Sequence, residues 1–288
     1  MTPIATFDFH VTARCTQDCP YCWGPQDCPG EVDSEAAAAI VRKLAGAGAR
    51  RIVFTGGDPM LRTDLGMLIR LARQEHLQVA LSPTGDLLPW GFLRGYGRWI
   101  DLVSIPIDGP DEGVSSCTKA RGHFGASMAA LDLLAQFPSI DVKVATVVQR
   151  HNLAHIPALV EMIDRHAERM PNRLFYNLFQ VFPRSMRPRD WDSLVVSDEE
   201  FAALRRRVES LPHRVQLHWL DRLTLDRVYV LVMPDGSLAV PSGSDYHVLG
   251  QLLDMKDIPA VVDQSELDVT RHLQHSQGYV PAMLAASA

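Results

Sequence analysis

The repeated alternation of short strand patterns with longer helical ones constrains this chain more than any other feature. ATFDFHVT (5–12) alternates apolar and polar residues, as a half-buried strand does. The next helical pattern opens on an Asp33/Ser34 cap and runs to glycines at 46 and 48. RRIVFTGGDP (50–59) reads as a strand ending in a glycine turn, and 62–76 as a helix. LQVALSPTG (77–85) and WIDLVSIPIDG (99–109) read as strands, and 123–137 as a helix. Strand-helix pairs follow at 141–152 with 153–169, and at 173–183 with 197–211. At least six such units in a row imply a parallel sheet with helical crossovers. The expected fold is therefore α/β, a partial (β/α)6 barrel of the TIM type. Residues 1–235 form the barrel, and 236–288 form a short C-terminal extension. That extension opens with a hairpin whose turn is the PDG of 234–236.

Composition narrows the function classes. The chain has 288 residues, 47% hydrophobic and 22% charged, enough apolar mass for one large core. Its formal charge is −6, and the basic run Arg205–Arg207 falls on a helix pattern as a solvated face, so no nucleic-acid partner is expected. No run of 18 apolar residues is present, so no membrane span is expected. The first 15 residues carry no secretion signal, and clustered thiols without a paired pattern suit a reducing cytoplasm.

In parallel α/β folds, ligands gather at the carboxyl ends of the strands. Five suggestive segments lie at such ends. They are the cysteine loop, GGDP, SPTG, SIPIDG and QRHN. The loop CTQDCPYCW (15–23) holds three of the five cysteines of the chain, Cys15, Cys19 and Cys22, spaced C-x3-C-x2-C. Soft thiolates at such spacing suit zinc, copper(I) or an iron–sulfur centre. A structural zinc needs a fourth ligand, for which Cys28 and His10 are the candidates. A [4Fe–4S] cluster normally takes four thiolates, so three leave one iron open to bind something else.

The cysteine loop resembles the signature of the radical S-adenosylmethionine (SAM) superfamily, in which an aromatic residue commonly precedes the third cysteine. The resemblance extends over about residues 5–235. It implies a [4Fe–4S] cluster on Cys15, Cys19 and Cys22, with the amino and carboxylate groups of SAM on the fourth iron. Reductive cleavage of SAM then gives a 5′-deoxyadenosyl radical that abstracts hydrogen from a substrate. Tyr21 would pack near the adenine. GGDP resembles the Gly-Gly-Glu-Pro turn of the family. It makes Gly56, Gly57, Asp58 and Pro59 cofactor contacts, with Asp58 a shorter carboxylate than the usual glutamate. Ser82 and Thr84 are similar to the strand-3 contacts of the family, Ser104 and Asp108 to the strand-4 contacts, and Gln149 lies near the mouth.

The rest of the chain refines the expected reaction. No cysteine follows Cys117, and Ser242 stands where an auxiliary-cluster thiolate would be expected, so one cluster is expected. The order of strand-end segments is similar to viperin-like nucleotide dehydratases. Lys143 falls where those enzymes contact phosphate, but Phe175 and Asn177 replace their basic strand-6 residues. Arg184, Arg187 and Arg189 follow that strand and could compensate. Lys143, Asn177 and Arg184 are therefore the candidate substrate contacts. Cys117, in the loop after strand 4, is a candidate hydrogen donor to a substrate radical, as in radical SAM epimerases. The expected enzyme acts on a small polar, sugar- or nucleoside-like molecule, with a flavodoxin- or ferredoxin-type reductant. Alternatives are a viperin-like nucleotide dehydratase, a peptide-modifying radical SAM enzyme, a zinc-stabilised binding module and a plain iron–sulfur electron carrier.

Overall fold

The computed structural model describes residues 4–28, 30–184 and 190–277. Arg187 and Arg189 lie outside the described residues. Ten strands form one sheet: β1 (Thr6–His10), β2 (Arg51–Thr55), β3 (Gln78–Leu81), β4 (Leu102–Pro106), β5 (Asp141–Val148), β6 (Leu174–Gln180), β7 (Gln216–Leu220), β8 (Leu231–Val232), β9 (Ser237–Ser242) and β10 (Asp245–Gln251). Among the described residues ten α-helices accompany them: α1 (Ser34–Gly46), α2 (Leu65–Gln74), α3 (Trp90–Tyr96), α4 (Glu112–Ser115), α5 (His123–Leu134), α6 (Ile156–Ala167), α7 (Asp198–Glu209), α8 (Arg222–Leu225), α9 (Ile258–Asp263) and α10 (Val269–Gln277).

The strand order is β10-β9-β8-β1-β2-β3-β4-β5-β6-β7. Strands β1 to β7 pair in parallel, each with its successor, as the alternating pattern predicts. β7 lies in HRVQLHWL (213–220), the less regular strand expected after the sixth unit, and adds a seventh parallel strand. β7 and β10 stand at opposite ends of the order, so the curled sheet is a partial barrel with an open seam. β8 pairs in parallel with β1, and β9 and β10 add antiparallel strands beyond it. The boundary expected at 235/236 thus falls in the turn between β8 and β9, and the C-terminal hairpin continues the barrel sheet. Helix α3 between β3 and β4 was not evident in the sequence. It spans seven residues, two of them glycines, too short for a clear 3.6-residue period. Among the described residues, no helix is long and apolar enough to cross a membrane.

Alternation along the strands sorts side chains to two faces. Phe7 and Phe9 of β1, Ile52 and Phe54 of β2, and Val142 and Val144 of β5 join the main apolar core with the helices. Their neighbours Thr6, Asp8, His10, Arg51, Val53, Thr55, Lys143 and Ala145 line an internal cavity of about 400 Å³. The charged and polar groups of the lumen, set among apolar ones, face inward by the same two-residue period that turns Phe7, Phe9, Ile52 and Phe54 outward. The helices start where local chemistry satisfies their free N–H groups. Asp33 accepts from the Ala36 N–H at 2.8 Å, and Ser197 with Glu200 forms a capping box on α7.

Helix α10 closes the amino-terminal end of the barrel through His272. The ring Nε2 accepts from the Ala5 N–H at 3.1 Å, and Nδ1 stands 2.8 Å from the Val228 carbonyl oxygen. That geometry requires the neutral ring with its proton on Nδ1. Burial holds His272 below its ordinary range, as it does His123 and His218, and it pulls His10 down to about 4 and His275 to about 3. Unfolded histidines titrate near ~6.5. Below that pH the unfolded chain binds protons that the folded one refuses, so stability is lost as pH falls from 6.5. Asp8, raised to about 6 by burial, acts in the opposite sense, as do Asp58 and Asp101, whose carboxyls burial also raises, so three carboxyls stand against five histidines. We expect His272→Phe to cost roughly 2–4 kcal/mol at neutral pH, because it leaves buried backbone groups unpaired. We also expect it to flatten part of the acid-side loss. Urea unfolding of both proteins across pH 5–8 checks this, and a wild-type curve flat below pH 6.5 would refute it.

Candidate active site

The three cysteines sit in the loop after β1, at the carboxyl end of the strands. That loop is held by backbone pairing that continues the β1–β2 ladder past both strands. Val11 N–H donates to Thr55 O (2.9 Å), Gly57 N–H to Thr12 O (2.8 Å), and Asp58 N–H to Arg14 O (2.7 Å). The approach leaves no room for a side chain. A Cβ on Gly57 would lie 2.0 Å from the Arg14 carbonyl oxygen, and one on Gly56 2.3 Å from that of Thr12. Gly56 also has φ +144°, which disfavours any side chain.

Side chains complete the frame. Arg62, buried, donates to the Val11, Val32 and Asp33 carbonyls and pairs with both oxygens of Asp64. Asp86 accepts from Thr16 Oγ1 at 2.7 Å and Gln17 Nε2 at 2.9 Å, and Gln17 Oε1 accepts from the Ala120 N–H at 2.8 Å. Asp58 is buried, accepts from the Met60 N–H, and receives the Thr84 hydroxyl at 2.6 Å. Burial raises the Asp58 carboxyl, a shift that the Thr84 hydrogen bond partly offsets. These bonds tie Asp58 to its own turn and to the loop after β3.

None of the three cysteines is in a disulfide; Cys19 is buried, Cys15 and Cys22 are half-buried, and all three line the cavity. Each sulfur accepts one N–H: Cys15 from Gln17 (3.4 Å), Cys22 from Gly24 (3.1 Å), and Cys19 from the Lys119 ammonium (3.2 Å). Burial pushes the Cys15 thiol up to about 11, so a metal would have to displace its proton. Among the described residues, no three His, Cys, Asp or Glu side chains converge on a single ion, as mononuclear zinc requires. A cubane cluster asks something different: each thiolate binds a separate iron, and the thiols need only face a common space. The donor set fits that cluster.

Tyr21, Gly57, Ser82, Thr84, Ser104, Asp108 and Lys143 line the cavity beside the cysteines. Gly56, Asp58 and Pro59 do not line it and support the turn from behind. Tyr21 donates its buried hydroxyl to Asp108 Oδ2, and burial, then the Asp108 charge, holds that phenol well above its usual range. Asp108 Oδ1 accepts from the Val147 N–H at 2.9 Å. Gln149 is buried outside the lining and accepts from the His151 N–H, so it shapes the turn after β5. Lys143 faces the lumen, where burial pulls its ammonium down to about 8 against the opposing Asp8 charge.

Three expected contacts are not in the cavity lining. Arg184 is fully buried outside the cavity lining. Its guanidinium stacks on Trp23 and Phe182, and it bonds the Gly243 carbonyl and Asp226. It therefore ties the C-terminal hairpin to the cysteine loop. Asn177 is buried and does not line the cavity. Cys117 is exposed after α4, its thiol donating to the Gly113 carbonyl at 3.5 Å, outside the lining. Sequence reasoning missed Lys119, Gln17, Asp86 and the lumen pair Asp8 and Arg51. Lys119 lies in the loop just ahead of the helix expected at 123–137, and nothing local marks that lysine as turned inward.

Gly57→Ala should leave the barrel folded but displace the Cys15 segment. Iron bound per chain after anaerobic reconstitution should fall by more than half, with the circular dichroism spectrum unchanged. Full iron loading in the variant would show that the close approach does not position the thiols.

Comparison with known proteins agrees with this geometry. Residues 9–163 match the family profile described as the radical SAM superfamily. An AdoMet-dependent heme synthase of Nitratidesulfovibrio vulgaris (AdoMet is SAM) is 31% identical over 162 residues, covering 54% of this chain and 44% of that protein. An S-adenosylmethionine-dependent nucleotide dehydratase of Lacinutrix mariniflava is 27% identical over 216 residues, covering 70% of this chain and 44% of that protein. The chain therefore spans less than half the length of these relatives. The solved structure of anSMEcpe with bound AdoMet superposes with a TM-score of 0.72 at 13% identity, over 94% of this chain and 82% of that one, which establishes the shared fold. With the family profile covering more than half of its residues and three cysteines gathered at the carboxyl ends of its strands, the chain belongs to the radical SAM superfamily, whose members use a [4Fe–4S] cluster and SAM.

Proposed function

We propose that this chain is a radical SAM enzyme that abstracts hydrogen from a small polar molecule bound in the barrel lumen. One observation supports this above others: a single cavity runs from Cys15, Cys19 and Cys22 to Asp8, Arg51 and Lys143 near the opposite end of the strands. When bound, the cluster on the three cysteines and SAM supply a 5′-deoxyadenosyl radical. The residues of the chain do the rest. Ser82, Thr84, Ser104 and Asp108 present polar groups next to the cysteine loop and orient SAM. Arg51 and Lys143 offer positive charge deeper in the lumen, suited to a carboxylate or phosphate on the substrate. Helix α10 places His272, His275 and Ser276 along the same cavity and shields it from water at the amino-terminal end. A one-electron flavodoxin- or ferredoxin-type donor completes the system.

A second reading, a nucleotide dehydratase, is favoured by the placement of Lys143 in the lumen. It is weakened by Asn177 and Arg184, which are buried outside the lining.

The reconstituted protein with dithionite and SAM should form 5′-deoxyadenosine, and Cys19→Ala should abolish it. Pools of nucleotides, sugar phosphates and nucleosides are then tested for stimulating that cleavage, and deuterium transfer into 5′-deoxyadenosine identifies the substrate. Lys143→Met should lower kcat/KM for an anionic substrate at least tenfold, about 1.4 kcal/mol, while substrate-free SAM cleavage persists. Stimulation by nucleoside triphosphates alone would favour the dehydratase. Undiminished 5′-deoxyadenosine from Cys19→Ala would refute the cysteine assignment.

A further inference from the structure

The three sulfurs of the cysteine loop differ in the donor that each faces. Cys15 and Cys22 accept from neutral backbone N–H groups two residues along the chain, a local consequence of the loop. Cys19 accepts from an ammonium one hundred residues away, at 3.2 Å. The Lys119 side chain is only 6% exposed, and a lysine buried to that degree is costly unless negative charge surrounds it. Asp108 supplies one such charge at 3.6 Å, and the Tyr21 ring lies 5.5 Å from the ammonium. Asp108 is itself held by the Tyr21 hydroxyl and the Val147 N–H, so it is already shared.

A cluster carried by three thiolates has a net charge of −1 when its core is 2+ and −2 after one electron is added. A fixed cation against one of those sulfurs favours the second state. Hydrogen bonds to cluster sulfurs, net charge and exposure are the levers that set such potentials. We propose that Lys119, held by Asp108, sets the reduction potential of the cluster by donating a charged hydrogen bond to Cys19 Sγ. This rests on the reading that Cys15, Cys19 and Cys22 hold the cluster. The step is a one-electron transfer from a flavoprotein or iron–sulfur donor, with the core passing from 2+ to 1+. No proton or bond changes hands. Lys119 makes that electron easier to accept, and Asp108 tempers the effect by holding opposite charge beside it. Lys119 is thus a tuning residue, and the reduction potential is the property it acts on.

The test is an anaerobic redox titration, followed by electron paramagnetic resonance, of reconstituted wild type, Lys119→Met, Lys119→Arg and Asp108→Asn. Iron content and absorbance are measured first. A wild type that binds no cluster would overturn the cysteine assignment and this inference with it. With clusters in place, Lys119→Met should move the midpoint to more negative potential by at least 59 mV, a tenfold change in the one-electron equilibrium. Lys119→Arg keeps the charge and should stay near wild type. Asp108→Asn removes the opposing charge and should move the midpoint the other way, so the inference stands on a second variant if Lys119→Met loses its cluster. An unshifted midpoint in Lys119→Met, or a negative shift in Asp108→Asn, would overturn the proposal while leaving the cluster assignment intact.

Discussion

The backbone of the GGDP turn lies against the backbone of the cysteine loop, and the site depends on that contact. Gly57 and Asp58 donate to the Thr12 and Arg14 carbonyls, and a single Cβ at Gly57 would lie 2.0 Å from the Arg14 oxygen. Two loops that follow adjacent strands would otherwise be free to splay. Here they extend the ladder beyond the sheet, so the thiols inherit the rigidity of β1 and β2. Arg62 reinforces this from below by gathering three carbonyls and Asp64 around one guanidinium.

Charge is distributed along the lumen with the same economy. Near the mouth, Lys119, Asp108 and Tyr21 form a buried network against Cys19. Deeper, Asp8 and Lys143 shift toward neutrality because burial disfavours both charges. Helix α10 closes that end through a neutral histidine bonded to the backbone on both sides. The polar groups of the lumen and the apolar outer layer come from one strand period read on its two faces, with Phe7 and Phe9 outward and Thr6, Asp8 and His10 inward.

Much of this was legible in the sequence. The βα alternation predicted the parallel sheet, and C-x3-C-x2-C with GGDP marked the two loops that meet. Both are local signals: a period, a cap and a glycine turn are complete within a few residues. What escaped notice was short, distant or both. Helix α3 has too few residues to show a period. Arg184 looked like a substrate contact because it follows a strand end, yet it turns toward Trp23 and Phe182. Cys117 sits in a suitable loop but bonds back to its own helix.

By itself, the sequence determined the order of the elements, the face each strand residue takes, and the type of ligand in the first loop. These follow from backbone period and from the chemistry of thiols, which need no knowledge of the rest of the chain. Only the tertiary structure decided that the C-terminal hairpin joins β1, that His272 closes the lumen, and that Lys119 rather than a backbone N–H faces Cys19. Those contacts join residues a hundred or more positions apart. Which of many polar side chains turns inward depends on which buried charge or carbonyl it meets there, and no local pattern encodes that.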